Sequence, residues 1–380
     1  MERNVYLDHA ATTFVSNEVF EEMIPFFTER FGNPSSVYRL GKDNKSAIEV
    51  AKERVASAIG ADANEIFFTA GGSEADNWVL KGIAFANMAK GNHIITTAIE
   101  HPAIINSCAF LEKHGFEVTY LGVDKYGMVD LEELKNSIRK DTILISVMFA
   151  NNEVGTIQPI KEIFKIAREH NIYFHTDAVQ AVGSVRIDVK GLGVDMLSMS
   201  GHKFYGPKGI GALYIKNGVN IENLIHGGGQ EAGKRAGTEN VPAIVGLGKA
   251  IYVAYRDFDK NTAKILDLRE HFINEIEGKI EDVKLNGHRT LRLPGNVNFS
   301  FGRVPSRVLL ELLNFHGISS SGGSACSSRN PKPSYVLKAM GIDDERIKSS
   351  LRFTIGVENT TDDIDYVVGV LQKEVNKLRE

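Results

Sequence analysis

Lysine, aspartate, histidine and asparagine recur along this chain in one context, just after a short apolar segment. "VDMLSMS" runs into "SGHKFYGPKGIG", which carries Ser200, His202, Lys203 and Lys208 among glycines. A lysine at the end of a buried strand differs from a solvated one, because desolvation and neighbouring cations lower its pKa enough for carbonyl chemistry. Composition does not choose between Lys203 and Lys208 for that task. "IYFHTD" ends in Asp177, and Gln180 follows three positions on, a spacing that equally suits a helix-capping pair. "HIITTAI" leads into "EHPA", placing His101 directly before a proline suited to a first helical turn. "TILISVM" leads into "FANNEVGT", where Asn151 and Asn152 are either turn formers or ligand donors. "EIFFTA" ends in "GGSEADNW". There Gly71 and Gly72 permit a tight turn, and a helix beginning at Ser73 would offer free N–H groups to an anion such as phosphate. Ser73-x-x-Asp76 also reads as a capping box.

Only a sheet can gather these residues. From about residue 65 to 215, the segments just quoted, together with "FEVTYL" and "GIGALYI", alternate with helix-period stretches, which predicts an α/β fold with a mostly parallel seven-stranded sheet. In such sheets ligands bind beyond the carboxyl ends of the strands. The carboxylate, histidine, hydroxyls, lysine and Gly-rich helix start then share one rim, and together they suit a phosphorylated, ring-shaped aldehyde cofactor. "HGGGQEAGKRAGTEN" (226–240) breaks the alternation, and a helical stretch from about 241 to 281 leaves the sheet. The remainder reads as a smaller α+β unit, with strands near "GNVNFSF" and "SSLRFTIG" and a closing helix "DDIDYVVGVLQKEVNKL". The expected division is a large cofactor domain at 16–259 and a small domain formed by 1–15 and 260–380. Gly228 to Lys234 matches GxxxxGK of a P-loop, but Arg235 stands where Ser or Thr would hold magnesium, and no buried strand leads into it.

Composition excludes other classes. The 380 residues are 43% hydrophobic and 24% charged with a formal net charge of -4, so no basic excess points to nucleic acid. No apolar run reaches the roughly 18 residues of a membrane span. Two cysteines without metal or disulfide spacing suggest a reducing, cytoplasmic home. Cys108, in "AIINSCAFLEK", reads as a small buried hydrophobe. Cys326 lies in "SSSGGSACSSRNPKPS", which suits neither a helix nor a packed strand.

Taken in order, "YLDHAATT", "FGNPSS", "FTAGGSEADN", "EHPA", "NNEVGT", "HTDAVQ", "SGHKFYGPKGIG", "HGGGQE", "RAGTEN", "SSGGSACSS" and "LRFTIG" closely resemble the cysteine desulfurases of the NifS/IscS type. These belong to the class V aminotransferase group of pyridoxal-phosphate enzymes, fold type I. The resemblance implies conversion of L-cysteine to L-alanine with a persulfide on Cys326, feeding an iron–sulfur scaffold or other acceptor protein. Selenocysteine lyase, or another class V aminotransferase or lyase, is the alternative. The resemblance makes Lys203 the Schiff-base lysine, Asp177 the partner of the pyridine nitrogen, and Gln180 a contact of the ring's phenolic oxygen. It implies that His101 stacks on the ring and moves protons, and that Asn152 helps hold cofactor and substrate. Gly72, Ser73, Ser200 and His202 correspond to the phosphate cup, which Thr238 completes from the other subunit of a homodimer. Arg352 matches the arginine that grips the substrate carboxylate, with Asn33 lining the same pocket. Departures are His9 where asparagine is common and Ser73 where threonine is frequent. A sulfur carrier must reach both a buried cofactor and an external acceptor, so residues 321–332 are expected to be mobile without substrate.

Overall fold

The computed structural model describes residues 3–322 and 333–380. Its strands are β1 (Val5–Tyr6), β2 (Ile66–Thr69), β3 (His93–Thr97), β4 (Glu117–Leu121), β5 (Thr142–Ser146), β6 (Tyr173–Asp177), β7 (Met196–Ser200), β8 (Gly211–Ile215), β9 (Val283–Leu285), β10 (Asn296–Phe301), β11 (Ile318–Ser319) and β12 (Ser350–Thr354). The seven segments expected to form one sheet do so, in the order β2-β8-β7-β6-β5-β3-β4. Only the pairs made by β8 are antiparallel. Two reversals, at β7–β8 and at β8–β2, return β2 to the direction of β7, so every strand but β8 ends on one rim. Chain order switches between β3 and β5: β4 lies outside β3, whereas β6 and β7 continue on the far side. Crevices at such switch points are where open α/β sheets bind ligands.

Burial explains the sequence pattern. β3, β5, β7 and β8 are buried at every position, so they read as continuous apolar runs, while the edge strand β4 alone starts exposed. One apolar layer, including Phe174, Leu197 and Ile244, covers one face; another, including Trp78, Leu144 and Met196, covers the other. The helix Gly72–Ala86 packs across β5 to β8, burying Ala75, Val79 and Ile83 at helical spacing. The stretch expected to leave the sheet is two helices, and only the second does so: Val241–Arg256 packs in the apolar layer on the large sheet, because Ile244, Leu247 and Ile251 give it a buried face there, whereas Phe258–Lys279 joins the core of the smaller unit.

A separate core of Phe272, Phe299, Phe353 and Leu371 underlies the antiparallel sheet β12-β10-β9 and the helix Thr361–Arg379. β9 and the parallel pair β1–β11 were not evident from sequence, since two or three residues carry no readable period. From β1 the chain crosses to the large sheet as a strap. Ala10 N donates to Thr354 Oγ1 at 2.9 Å, and Thr13 N donates to His202 O at 2.9 Å.

His9 fastens that strap. Its buried ring places Nδ1 2.7 Å from Thr354 O and Nε2 2.6 Å from Glu358 Oε1, and lies against the backbone of Gly356. A Cβ at residue 356 would stand 2.1 Å from His9 Nε2. The ring is tied at both nitrogens and has nowhere to retreat. Gly356→Ala is therefore expected to destabilise the protein by about 1–3 kcal/mol, as overpacking does, visible as a lowered melting temperature.

Candidate active site

A cavity of about 260 Å³ opens at the rim, lined by residues at or after the ends of β2, β3, β5, β6 and β7. After β7, the short turn Gly201–Lys203 carries Lys203 inward. Its Nζ donates to the carbonyls of Ala10 and, at 2.9 Å, Ala11. Lys208 is exposed outside the cavity and reaches Thr13 O, so of the two lysines only Lys203 lines the cavity. Ser200 and His202 line the same cavity, with His202 Nδ1 3.1 Å from Thr12 Oγ1. Burial, reinforced by Lys203 and Lys208, lowers the His202 pKa to about 4.

Asp177 is the last residue of β6 and is buried, with Oδ1 accepting the Val179 N–H at 2.9 Å. Burial raises its pKa, while His101 and Lys203 oppose the shift. Gln180 does not close a cap with it; its Nε2 donates to Ala10 O at 3.1 Å. His101 is the N-cap of the helix Pro102–Glu112. Its Nδ1 accepts the Ala103 N–H at 3.2 Å, so the neutral ring carries its proton on Nε2. Burial lowers the His101 pKa, the Asp177 charge resists, and Lys203 adds to the lowering.

The Ser73 capping box does not form. The helix begins at Gly72, and its N-cap is Gly71, at φ +154°, a backbone region open to glycine and without a capping side chain. Glu74 reaches back to Ala70 N at 2.8 Å, while Asp76 turns into the buried cavity floor. Gly72 and Ser73 thus present an uncapped helix start to the cavity.

Beyond β5 the two asparagines divide their tasks. Asn151 is a turn former, its Oδ1 accepting from Glu153 N and Val154 N and its Nδ2 donating to Ile99 O. Asn152 lines the cavity, and its carbonyl accepts from Arg352 Nη1 at 3.0 Å. Arg352 is 1% exposed, Nη2 lies 2.7 Å from Asp8 Oδ1, and Nε has no partner among the described residues.

Three expected site residues are not among the described residues that line the cavity. Asn33 does not line the cavity; it is exposed, with Oδ1 accepting the Ser35 N–H at 2.9 Å. Thr238 is also exposed and outside the cavity of its own chain. Cys326, and the expected mobility around it, lie outside the described residues. On either side of that gap the chain is fixed at the cavity. Ser321 exchanges backbone hydrogen bonds with Arg352 (3.1 and 2.7 Å), the Ser334 hydroxyl donates to Glu153, and the Tyr335 hydroxyl donates to Glu100 O at 2.6 Å. Cys108 is fully buried, with its thiol pushed up to about 12, as a small hydrophobe would be.

Sequence reasoning missed Asp8, Asp76, Glu100 and His175. Glu100 is wholly buried, with Oε1 accepting from the Thr97 hydroxyl at 2.7 Å and Met148 N at 2.9 Å. His175 lies between Ser146 Oγ (2.9 Å) and Ser198 Oγ (3.0 Å), and burial holds its pKa near 3. The available signal was their place inside or beside apolar strand segments, where an ionisable residue needs a reason.

The family model described as aminotransferase class-V matches residues 5–367. The chain belongs to the class V aminotransferase family. It is 58% identical to a protein named cysteine desulfurase IscS from Clostridium botulinum, over 100% of this chain and 96% of the other. A relative of the same name from Methanosarcina thermophila is 58% identical over 99% of this chain and 93% of its own length. A solved structure titled NifS-like protein superposes with a TM-score of 0.93 at 37% identity, covering 99% of this chain and 100% of the other.

Class V aminotransferases use pyridoxal phosphate, and the donors in this cavity fit that group. An uncapped helix start and the Ser73 and Ser200 hydroxyls suit a phosphate, and a buried carboxylate, Asp177, suits a protonated ring nitrogen. An amine at Lys203 suits an aldehyde.

Burial also gives this class V site an alkaline weakness. Glu100 is pushed up to about 8 from an ordinary value near 4.5 because burial disfavours its charged form, partly offset by its bonds from Met148 and Thr97. A raised carboxyl pKa stabilises the fold fully below about pH 4.5, and that stability is lost as pH rises through about 8. Urea unfolding of the apo-protein should therefore weaken by up to about 1.4 kcal/mol per pH unit from this group across that window. Glu100→Gln should flatten the decline.

Proposed function

We propose that this protein is a pyridoxal-phosphate-dependent cysteine desulfurase that moves sulfur from L-cysteine to Cys326, releases L-alanine and supplies iron–sulfur cluster assembly. The observation that carries this reading is the convergence of Lys203, Asp177 and His101, from the carboxyl-end rim of the large sheet, and Arg352, from the middle of β12, on one cavity. The names of the close relatives support it.

When bound, pyridoxal phosphate supplies an electron sink for the pair left behind when the substrate α-proton is removed. Gly72, Ser73, Ser200 and His202 would hold its phosphate, Asp177 its ring nitrogen, Gln180 its phenolic oxygen and Lys203 its aldehyde carbon, with His101 stacked on the ring. Arg352 binds the substrate carboxylate by its paired donors, and Asn152, fixed to it through the 3.0 Å bond from Nη1, sets the orientation. The Lys203 amine takes the α-proton, and the Ala10 and Ala11 carbonyls accept hydrogen bonds from the ammonium that results. His101 Nε2, the protonated nitrogen of a neutral ring, stands ready to pass a proton. Cys326 as thiolate attacks the substrate sulfur. The new S–S bond replaces the substrate's C–S bond, and the carbon skeleton leaves as alanine after taking up protons.

Thr238 would complete the phosphate site of a second subunit. Its exposure away from its own cavity, and the exposed apolar side chains of Phe27, Phe31, Val37 and Tyr38, support a homodimer. No helix among the described residues is long and apolar enough to cross a membrane. A thiol that must remain reduced places the enzyme in the cytoplasm.

Sulfide and alanine formation from L-cysteine in the presence of a reductant tests the chemistry. Cys326→Ala should abolish both while keeping the cofactor's absorbance; full turnover in that variant would assign a thiol-independent lyase instead. Arg352→Lys should raise KM for cysteine roughly 10- to 100-fold, the loss of one or two charge-assisted hydrogen bonds, with a smaller effect on kcat. Sedimentation should give a mass near twice 41.8 kDa.

A further inference from the structure

The floor of the cavity holds more acid than its bases can neutralise. Asp76, Glu100 and Asp177 are all buried there or directly behind it; Asp76 feels the charges of Asp177 and Glu100, and Glu100 feels that of Asp177. The cations within reach are few. Arg352 is engaged by Asp8 at 2.7 Å, which leaves Lys203, while His101 and His175 are both held toward their neutral forms by burial. Three carboxylates against one ammonium in a dry interior would leave uncompensated buried charge, which proteins avoid by neutralising the group.

Geometry identifies the acid that carries charge. Asp177 accepts a backbone N–H from Val179 and is the carboxyl drawn downward by both His101 and Lys203. Asp76 has no such support. It is 1% exposed, its Oδ1 has no hydrogen-bond partner among the described residues, and the Ser198 hydroxyl is its hydrogen-bonding neighbour. The closest ring, His175, stands 3.9 Å from Asp76 Oδ1 and has its own nitrogens occupied by Ser146 and Ser198. It is no ion-pair partner, because burial keeps it neutral.

We infer that Asp76 is a positioning residue that stays a neutral carboxylic acid, so that Asp177 alone presents negative charge to the ring nitrogen of the cofactor. The inference rests on the pyridoxal-phosphate reading of the cavity for its purpose, but the protonation state belongs to the protein itself. An ionised Asp76 would strengthen Asp177 as a base and draw the proton off the ring nitrogen; a neutral one leaves that proton in place. Burial and the Asp177 charge both raise the Asp76 pKa well above the ordinary carboxylate value, against a smaller opposing effect of Ser198, in agreement with the geometry.

Infrared difference spectra of the apo-protein at about pH 8, wild type minus Asp76→Asn, test the state directly, since free carboxyls are ionised there. The expected result is a protonated-carboxyl C=O band in the wild type that the variant lacks. Loss of a carboxylate band instead would overturn the inference. Should Asp76→Asn not fold, Ser198→Ala serves in its place: removing the hydroxyl should shift the protonated band, and no shift would overturn the inference. In the holoenzyme, Asp76→Asn should leave the pH dependence of cofactor absorbance near that of the wild type, whereas Asp177→Asn displaces it; identical displacement by both would also overturn the inference. A protein that takes up no pyridoxal phosphate would refute the function proposed above, while leaving the apo-protein infrared result intact.

Discussion

The strap of residues 8–13 is the element on which the rest of the site depends, because it compensates a buried and a half-buried cation at once. Asp8 holds the Arg352 guanidinium, and the Ala10 and Ala11 carbonyls hold the Lys203 ammonium. Each cation removed from water at a strand end would cost several kcal/mol if left alone. Arg352 comes from the small antiparallel sheet and Lys203 from the large one, so the strap supplies in a few residues what neither sheet provides for itself. His9 and Thr354 then fix the strap to the small unit, and Thr13 fixes it to His202. Short hydrogen bonds through the strap thereby help set the relative placement of the two cations.

Acids obey the same economy. The sheet brings Asp177 to the end of β6 and the helix Gly72–Ala86 brings Asp76 beneath it, both inside a structure with little positive charge to spare. Hydroxyls therefore take the place of counterions. Ser146, Ser198 and Thr97 bond to His175, Asp76 and Glu100, groups for which charge would be too costly. Such a floor is polar enough to be fixed in geometry and neutral enough for one carboxylate to dominate its field.

Strand ends were legible because their signal is local. Apolar runs followed by Gly, Asn or His-Pro placed β2 to β8 and the rim residues Lys203, Asp177, His101 and Asn152 before any coordinates. The choice between Lys203 and Lys208 needed the resemblance, and then the cavity, because both lysines share one Gly-rich turn. Ser73 and Asp76 misled for a related reason. Spacing three apart is the same for a capping box and for a helix that starts one residue earlier, and only the φ of Gly71 distinguishes them. Asp8 was illegible because its partner lies far away in sequence, Arg352 being 344 positions on; Glu100 has Thr97 three positions away, but its second partner, Met148 N, is 48 positions on and only the fold brings it near. Asn33 and Thr238 are a different case, since an exposed residue declares no partner within its own chain.

The residues that flank the Cys326 segment are tied to those proposed to hold the substrate. Ser321 is paired through its backbone with Arg352, Ser334 bonds to Glu153 beside Asn152, and Tyr335 bonds to the backbone of Glu100 beside His101. In the function proposed above, a substrate carboxylate drawing on Arg352 acts on a residue whose main chain is hydrogen-bonded to Ser321. In the proposed function the acceptor thiol and the reacting substrate must be present together, and the anchoring of Ser321 and Ser334 beside the proposed substrate site would supply a short, covalent route to that proximity. Distance along the chain then limits the search: Cys326 is five residues from Ser321, a span of at most about 18 Å when fully extended. A carrier of that reach attached elsewhere on the molecule could deliver sulfur to a partner but would not meet a cavity built beneath Arg352.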